Sequence, residues 1–194
     1  MTDIALRNTI KRVALLNLGY FGVEFAVALS IGSVSLFADS IDFLEDASVS
    51  LLILMALRWS IRNRARIGMA LAAILLIPGL ATIWTAWHKF MTPLAPAPLP
   101  LSLTGLGALV VNLSCAMMLV RFRDHSGSLT RAAFLSARND AFANIAIIAA
   151  GIVTAFLWHS AWPDLIVGIA IAVMNADAAR EVWTTARGEH RAAV

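Results

Sequence analysis

The sequence predicts an all-α, polytopic membrane bundle of six transmembrane helices with both termini in the cytoplasm. Composition is the first reason, since 60% of the 194 residues are hydrophobic and only 14% are charged. Soluble domains are about 45–50% apolar and about 25% charged. A spanning helix needs about 20 residues, so six of them use nearly the whole chain. Residues 1–194 are therefore expected to form a single transmembrane domain, with no soluble domain.

Six apolar runs are the second reason for this prediction. They are Val13–Ile31, Val34–Leu57, Ile67–Trp87, Leu101–Val120, Ala132–Phe156 and Leu165–Trp183. The basic residues are the third reason: all of the 15 Lys and Arg residues except Lys89 and Arg138 fall on one side if the N-terminus is cytoplasmic. Cytoplasmic loops are enriched in basic residues, and an even number of spans then puts both termini inside.

The same features exclude several classes of function. The pI near 9.8 comes from basic clusters between apolar runs, which orient membrane helices and do not indicate nucleic-acid binding. No phosphate loop, nucleophile elbow or HExxH motif is present, so we expect neither an enzyme nor a bound cofactor. An Arg- and Ala-rich composition is typical of GC-rich bacterial genomes. We therefore expect a multi-pass protein in the inner membrane of a bacterial cell.

The second span carries four acids within eight residues. At about 100° per residue, with Asp42 at zero, Asp46 lies at roughly 40°, Asp39 at roughly 60° and Glu45 at roughly −60°. An acid at the centre of a spanning helix costs about 2.5–3.5 kcal/mol. The apolar residues of this span offset only part of that total. The acidic face is therefore expected to look into the bundle, toward water, cations or protons.

The fifth span has a second polar face, LSARNDAFAN. With Ser136 at zero, Asp140 lies at roughly 40°, Asn144 at roughly 80° and Asn139 at roughly −60°. Asp46 and Asp140 also lie at similar depths, roughly 16 and 12 Å from the cytoplasmic ends of their helices. We therefore expect the two faces to meet.

Carboxylates that converge without basic partners form a site for a divalent cation. The predicted metal ligands are Asp42, Asp46 and Asp140, with a neutral oxygen from Ser136, Asn139 or Asn144, and with Asp39 as a further candidate. When no metal is bound, adjacent carboxylates hold protons, because they cannot all ionise in a low dielectric. Protons and a divalent ion then compete for the same oxygens, which is the physical minimum for exchange transport. The alternative is that the acids only hydrogen-bond neighbouring helices.

The second span resembles that of the cation diffusion facilitator family, which reads Ala-Asp-x-x-His/Asp-x-x-x-Asp after Gly-Ser-x-x-Leu. The segment Gly32–Ala47 (GSVSLFADSIDFLEDA) matches this pattern, with Asp42 and Asp46 at the two ligand positions. Asp140 is similarly placed at the second position of the family's fifth-helix motif, His/Asp-x-x-x-Asp. The pair of Asn17 and Glu24 in the first span and the start of the sixth span, WPDLIVGIAIAV, are also similar. The resemblance implies a proton-coupled exporter of Zn²⁺ or a similar ion that works as a homodimer by alternating access.

Two departures from the family pattern modify this expectation. Ser136 stands where the family has His or Asp, which favours iron, manganese or cobalt over zinc because zinc prefers nitrogen and sulfur ligands; cadmium is a further candidate. The chain also ends about ten residues after the sixth span, so the resemblance is to a short branch that lacks the family's cytoplasmic C-terminal domain. A homodimer is then expected to pack through its helices, for example at Thr104 and Ala108.

Two other functions remain open from the sequence. One is a non-transporting membrane protein, such as a transporter relic, an assembly factor or a metal sensor, whose buried acids are structural. The other is an intramembrane hydrolase that uses Asp42 and Asp140. Metal flux across a membrane distinguishes transport from both.

Overall fold

A computed structural model describes residues 2–56, 80–122 and 128–174, and helices account for nearly all of these residues. We label the α-helices in chain order as α1 (Thr2–Ile31), α2 (Val34–Ala56), α3 (80–91 in the described range), α4 (Pro98–Leu119), α5 (Ser128–Phe156) and α6 (Trp162–Met174 in the described range). A short 3₁₀ turn, Val120–Phe122, follows α4. The described ranges contain no strand. The all-α prediction is confirmed.

The helix ends agree well with the predicted spans except at the start of α1. The helix begins eleven residues before Val13, because its basic first turns remain helical outside the apolar run. Most of the third predicted span, the basic segment that follows the second span, and the end of the sixth span lie outside the described residues. The prediction that both termini are cytoplasmic stays a prediction.

Four helices form the centre of the bundle. Helix α1 packs most extensively on α2, and α4 on α5; α1 also contacts α4, and α2 contacts α5. Small residues allow close approach along α4, where an added Cβ at Gly107 would collide with the Tyr20 hydroxyl of α1. Thr104 and Ala108 are buried on this face, at 8% and 0% exposure, and Tyr20 donates a hydrogen bond to the Thr104 carbonyl oxygen at 2.6 Å. The expectation that these two residues form a dimer surface was therefore wrong, since they pack inside one chain.

Two apolar clusters lie at the two ends of the bundle. The inner cluster includes Ile10 of α1, Ile53 of α2 and Leu119 of α4, and the outer cluster includes Leu36 of α2 and Ile147 of α5. Buried polar residues lie between these two sets along each helix, or at the edge of the outer set in the case of Asp39: Asn17, Glu24, Asp39, Asp42, Asp46, Asn112 and Asn144. A polar layer therefore crosses the middle of the bundle.

The surface of the described residues is apolar, as lipid requires. Large hydrophobic side chains stand exposed on α1, α4 and α5, among them Leu15, Leu106 and Ile152. Three described stretches are long and apolar enough to cross a bilayer: Ile4–Ile31, Pro98–Phe122 and Ala133–Phe156. Trp84, Trp87 and Trp158 are exposed at the end of the bundle that we call the outer end. The chain therefore has the architecture of a multi-pass membrane protein, with apolar side chains outside and charge inside.

Candidate metal site

The start of α2 is capped by the two residues that precede it. Gly32 ends α1 with φ +62°, a left-handed conformation that suits glycine. The Ser33 amide then donates to the Ala28 carbonyl oxygen at 3.0 Å, and the Ser33 hydroxyl accepts from the Leu36 amide at 3.1 Å. These bonds satisfy groups that helix ends otherwise leave unpaired. Further along α2, the side chains of Asp39, Asp42 and Asp46 are buried.

Asp46 lies where four helices meet. Its Oδ1 accepts a hydrogen bond of 2.9 Å from the Ser136 hydroxyl of α5, and its Oδ2 accepts one of 3.5 Å from the Asn17 amide of α1. The Asn17 carbonyl oxygen in turn accepts from the Cys115 thiol of α4 at 3.6 Å. The Asp46 side chain is 9% exposed. Its carboxylate is therefore held by donors from two helices, in a polar network that reaches a third.

Asp42 and Asp140 are close enough to repel each other. Among the charged groups, Asp140 repels the Asp42 carboxylate most strongly. The Asp140 carboxylate is repelled most strongly by Asp46 and next by Asp39. Ser136 interacts with the Asp140 carboxyl group as well as with Asp46. The structure thus brings the acids of α2 and α5 into one region, with Ser136 between two of them.

These carboxyl groups nevertheless do not surround a single point at which an ion could bind. Within residues 2–56, 80–122 and 128–174, no group of three or more His, Cys, Asp or Glu side chains is positioned to hold a metal ion. Asn139 is exposed, and its Oδ1 accepts a bond of 3.3 Å from Arg138. Of the neutral oxygens expected to complete the site, Ser136 is therefore the one that contacts the central acids.

Asp39 and Asn144 hydrogen-bond each other in a layer that lies nearer the outer end. The Asn144 amide donates to Asp39 Oδ2, and the Asn112 amide donates to Asn144 Oδ1 at 3.0 Å. Glu24 of α1 lies within hydrogen-bonding reach of Asp39. Asp39, Asn144 and Glu24 are each 0% exposed. Asp39 also interacts electrostatically with Asp42 and Asp140, and the prediction that Asp39 and Asn144 belong to the central site stays a prediction.

Asp164 of α6 joins three helices at the outer end. Its Oδ2 accepts from the Val34 amide at 2.8 Å. Its Oδ1 accepts from the hydroxyls of Ser33 and Ser35, both at 2.6 Å, and from the Ser35 amide at 3.2 Å. A carboxylate is favourable at this position because the helix dipole makes the N-terminus of α2 positive.

Lys89 of α3 completes the polar contacts of Asp164 at the outer end. Its ammonium group lies 3.7 Å from Asp164 Oδ2 and donates to the Gly32 carbonyl oxygen. The pair is almost fully buried, with exposures of 8% and 0%. This pairing explains why Lys89 is an exception to the distribution of basic residues. The sequence offered one signal for it, an isolated Lys and an isolated Asp at the outer ends of two apolar runs.

The fold and this site define a class: a multi-pass helical membrane protein with acids buried between its second and fifth helices. The family model of the cation efflux transmembrane domain matches residues 10–187. The chain belongs to the cation efflux family.

Curated relatives extend the comparison. The chain is 25% identical over 157 residues to the zinc transporter ZitB of Yersinia pseudotuberculosis, covering 74% of this chain and 50% of that protein. It is 29% identical over 158 residues to the cation-efflux pump FieF of Salmonella typhi, covering 74% of this chain and 52% of that protein. The chain thus spans about half the length of the curated relatives it matches.

Proposed function

We propose that this protein exports divalent metal cations across a bacterial inner membrane, in exchange for protons, through a site formed by Asp42, Asp46 and Asp140. The observation that carries the proposal is the meeting of α2 and α5 acids in the middle of an apolar bundle. The dominant charge effects on Asp42 and Asp140 come from other acids. Buried like charges are unfavourable unless cations or protons compensate them.

The relatives support the same class of substrate. One is named a zinc transporter and another a cation-efflux pump. The oxygen ligands of this chain favour iron, manganese or cobalt, and zinc and cadmium are further candidate substrates. Because no three acids of the described residues surround one point, the proposal includes a closure of α2 on α5 when the ion binds. A homodimer that works by alternating access is part of the proposal.

Flux in proteoliposomes tests this function. The purified chain is reconstituted with a metal-sensitive dye and a pH dye inside, and Zn²⁺, Mn²⁺, Co²⁺, Cd²⁺ and Fe²⁺ are added one at a time. We expect metal entry accompanied by proton movement in the opposite direction. Asp46→Asn and Asp140→Asn are expected to reduce flux at least about tenfold, because each removes one of the charges that hold the ion. Asn139→Ala is the matched control, since Asn139 neighbours Asp140 but is exposed.

A non-transporting protein gives the opposite pattern. In that case no ion crosses the membrane above the rate of empty vesicles, and the aspartate variants change only thermal stability. Metal flux without a matching pH change would support metal transport but contradict its exchange for protons.

A further inference from the structure

The layer nearer the outer end contains oxygen atoms that lack any hydrogen-bond donor. They are Glu24 Oε1 and Oε2, Asp39 Oδ1 and Asn112 Oδ1. All three residues are at most 2% exposed, so bulk water does not reach them. A buried polar atom without a partner costs about 1–3 kcal/mol, and more if it is charged. Four such atoms together need an explanation.

The unpaired atoms are all hydrogen-bond acceptors, and the neighbouring hydrogen bonds do not supply a donor to them. Asp39 Oδ2 already accepts from Asn144, and Asn144 Oδ1 accepts from Asn112. These bonds leave Asp39 Oδ1 and Asn112 Oδ1 without a donor, and Glu24 lies within hydrogen-bonding reach of Asp39. Glu24 and Asp39 are also near enough to repel each other. A cation is the ligand that four oxygens and two negative charges attract.

We propose that Glu24, Asp39 and Asn112, supported by Asn144, form a second cation site in the outer half of the bundle. Its ligand is a divalent cation that prefers oxygen donors, because two carboxylates neutralise two positive charges. The site lies one helical turn from Asp42 along α2, roughly 5 Å toward the outer end, and roughly 10 Å from Asp46. Glu24 and Asn112 are not among the residues of the site formed by Asp42, Asp46 and Asp140, and Asp39 interacts electrostatically with those acids.

The position of the second site gives it a role in transport. An ion that leaves the central acids toward the outer end next meets Glu24 and Asp39, since α2 carries Asp46, Asp42 and Asp39 in that order. Successive sites along a path allow an arriving ion to displace the one ahead by charge repulsion. This role rests on the proposed function, whereas binding of a second ion does not.

Counting bound ions tests the proposal. The purified full chain in detergent is dialysed against Zn²⁺ and, separately, Mn²⁺, and the bound metal is measured by atomic absorption. We expect two ions per wild-type chain, one ion for Glu24→Gln, and one ion for Asp46→Asn. Glu45→Gln is the control, because Glu45 lies on α2 and is only partly buried. It is expected to leave the count at two.

A second variant covers the case in which Glu24→Gln fails to fold. Asn112→Asp adds a third carboxylate to the layer and is expected to tighten one of the two binding events about tenfold. A count in Glu24→Gln that equals the wild-type count would overturn the proposal and leave a carboxyl pair that shares a proton. Failure of the proposed function looks different: Asp46→Asn then keeps the wild-type count while Glu24→Gln still loses one ion.

Discussion

At the scale of single residues, Ser136 is the neutral side chain that contacts the proposed metal ligands. Its hydroxyl lies 2.9 Å from Asp46 Oδ1 and also interacts with Asp140. A neutral hydroxyl adds an oxygen ligand without charge. The central residues therefore remain an all-oxygen set, which discriminates less in favour of zinc than a set that contains imidazole.

Ser136→His is predicted to change ion selectivity. An imidazole at this position provides a nitrogen ligand that zinc prefers, so we expect zinc affinity to rise about tenfold while manganese affinity changes by less than about twofold. Competition binding between the two ions measures this effect. Ser136→Ala is the control and is expected to weaken both ions alike. An equal change for zinc and manganese in Ser136→His would show that residue 136 is not a ligand.

Asp164 is the other residue whose role can be tested alone. It accepts four hydrogen bonds and pairs with Lys89 in a nearly dry environment. Removal of one member of a buried ion pair leaves the other charge uncompensated, which typically costs about 3–5 kcal/mol. Asp164→Asn is therefore predicted to lower the free energy of unfolding by about 3 kcal/mol, measured in mixed detergent and SDS.

Lys89→Met supplies the second half of a double-mutant cycle with Asp164. Because Asp164 keeps its four donors in that variant, the loss is expected to be smaller than for Asp164→Asn. The double variant should cost less than the sum of the two single changes, since contacting charges are coupled. Additive costs would mean that the two groups do not interact in solution.

At the scale of elements, the contact between α6 and the start of α2 depends on Gly168. A Cβ at this position would lie 2.8 Å from the Ser35 amide nitrogen and 2.8 Å from the Val34 carbonyl carbon. These are backbone atoms and do not yield as a flexible side chain does. The same contact brings Asp164, one turn earlier on α6, to the N-terminus of α2. The close approach of α6 to α2 and the position of Asp164 at the N-terminus of α2 therefore depend on the same contact.

Gly168→Ala is predicted to separate the two helices and to destabilise the protein by about 1–3 kcal/mol. Thermal unfolding in detergent checks this. Gly19→Ala is the matched control, since an added Cβ there meets nothing within 4 Å and alanine favours a helix by about 0.5–1 kcal/mol. A Gly168→Ala protein as stable as Gly19→Ala would contradict the packing described for α6.

At the scale of the whole molecule, the distribution of charge in the sequence predicts the topology. Basic residues follow the second, fourth and sixth predicted spans, while Lys89 pairs with Asp164 at the outer end. The outer end therefore carries little free positive charge. This arrangement follows the rule that positive residues stay in the cytoplasm.

Cysteine labelling is predicted to report this topology directly. Ala97 lies between α3 and α4 and is exposed. Lys11, near the inner end of α1, is also exposed, and each is replaced by Cys. A membrane-impermeant maleimide should label Ala97→Cys from outside intact spheroplasts, and Lys11→Cys only after permeabilisation. The wild-type chain is the background control, since Cys115 is 0% exposed. The reverse labelling pattern would contradict the proposed orientation.

The sequence by itself determined the helical membrane architecture and the inward direction of the α2 acids. Both follow from local quantities, namely the length of apolar runs, the 100° turn per residue and the cost of charge in lipid. The same reasoning predicted that Asp46 and Asp140 share a depth, and the electrostatic contact between α5 and α2 agrees with it.

Only the tertiary structure decided which polar residues contact each other. Angular position on one helix does not give the rotation of its neighbour, so the sequence did not predict the contacts of Asp39 with Glu24 and of Asn144 with Asn112. Thr104 and Ala108 were assigned to a dimer surface for the same reason. The pairing of Lys89 with Asp164 joins residues 75 positions apart, and only the packing of α3, α6 and α2 brings them together.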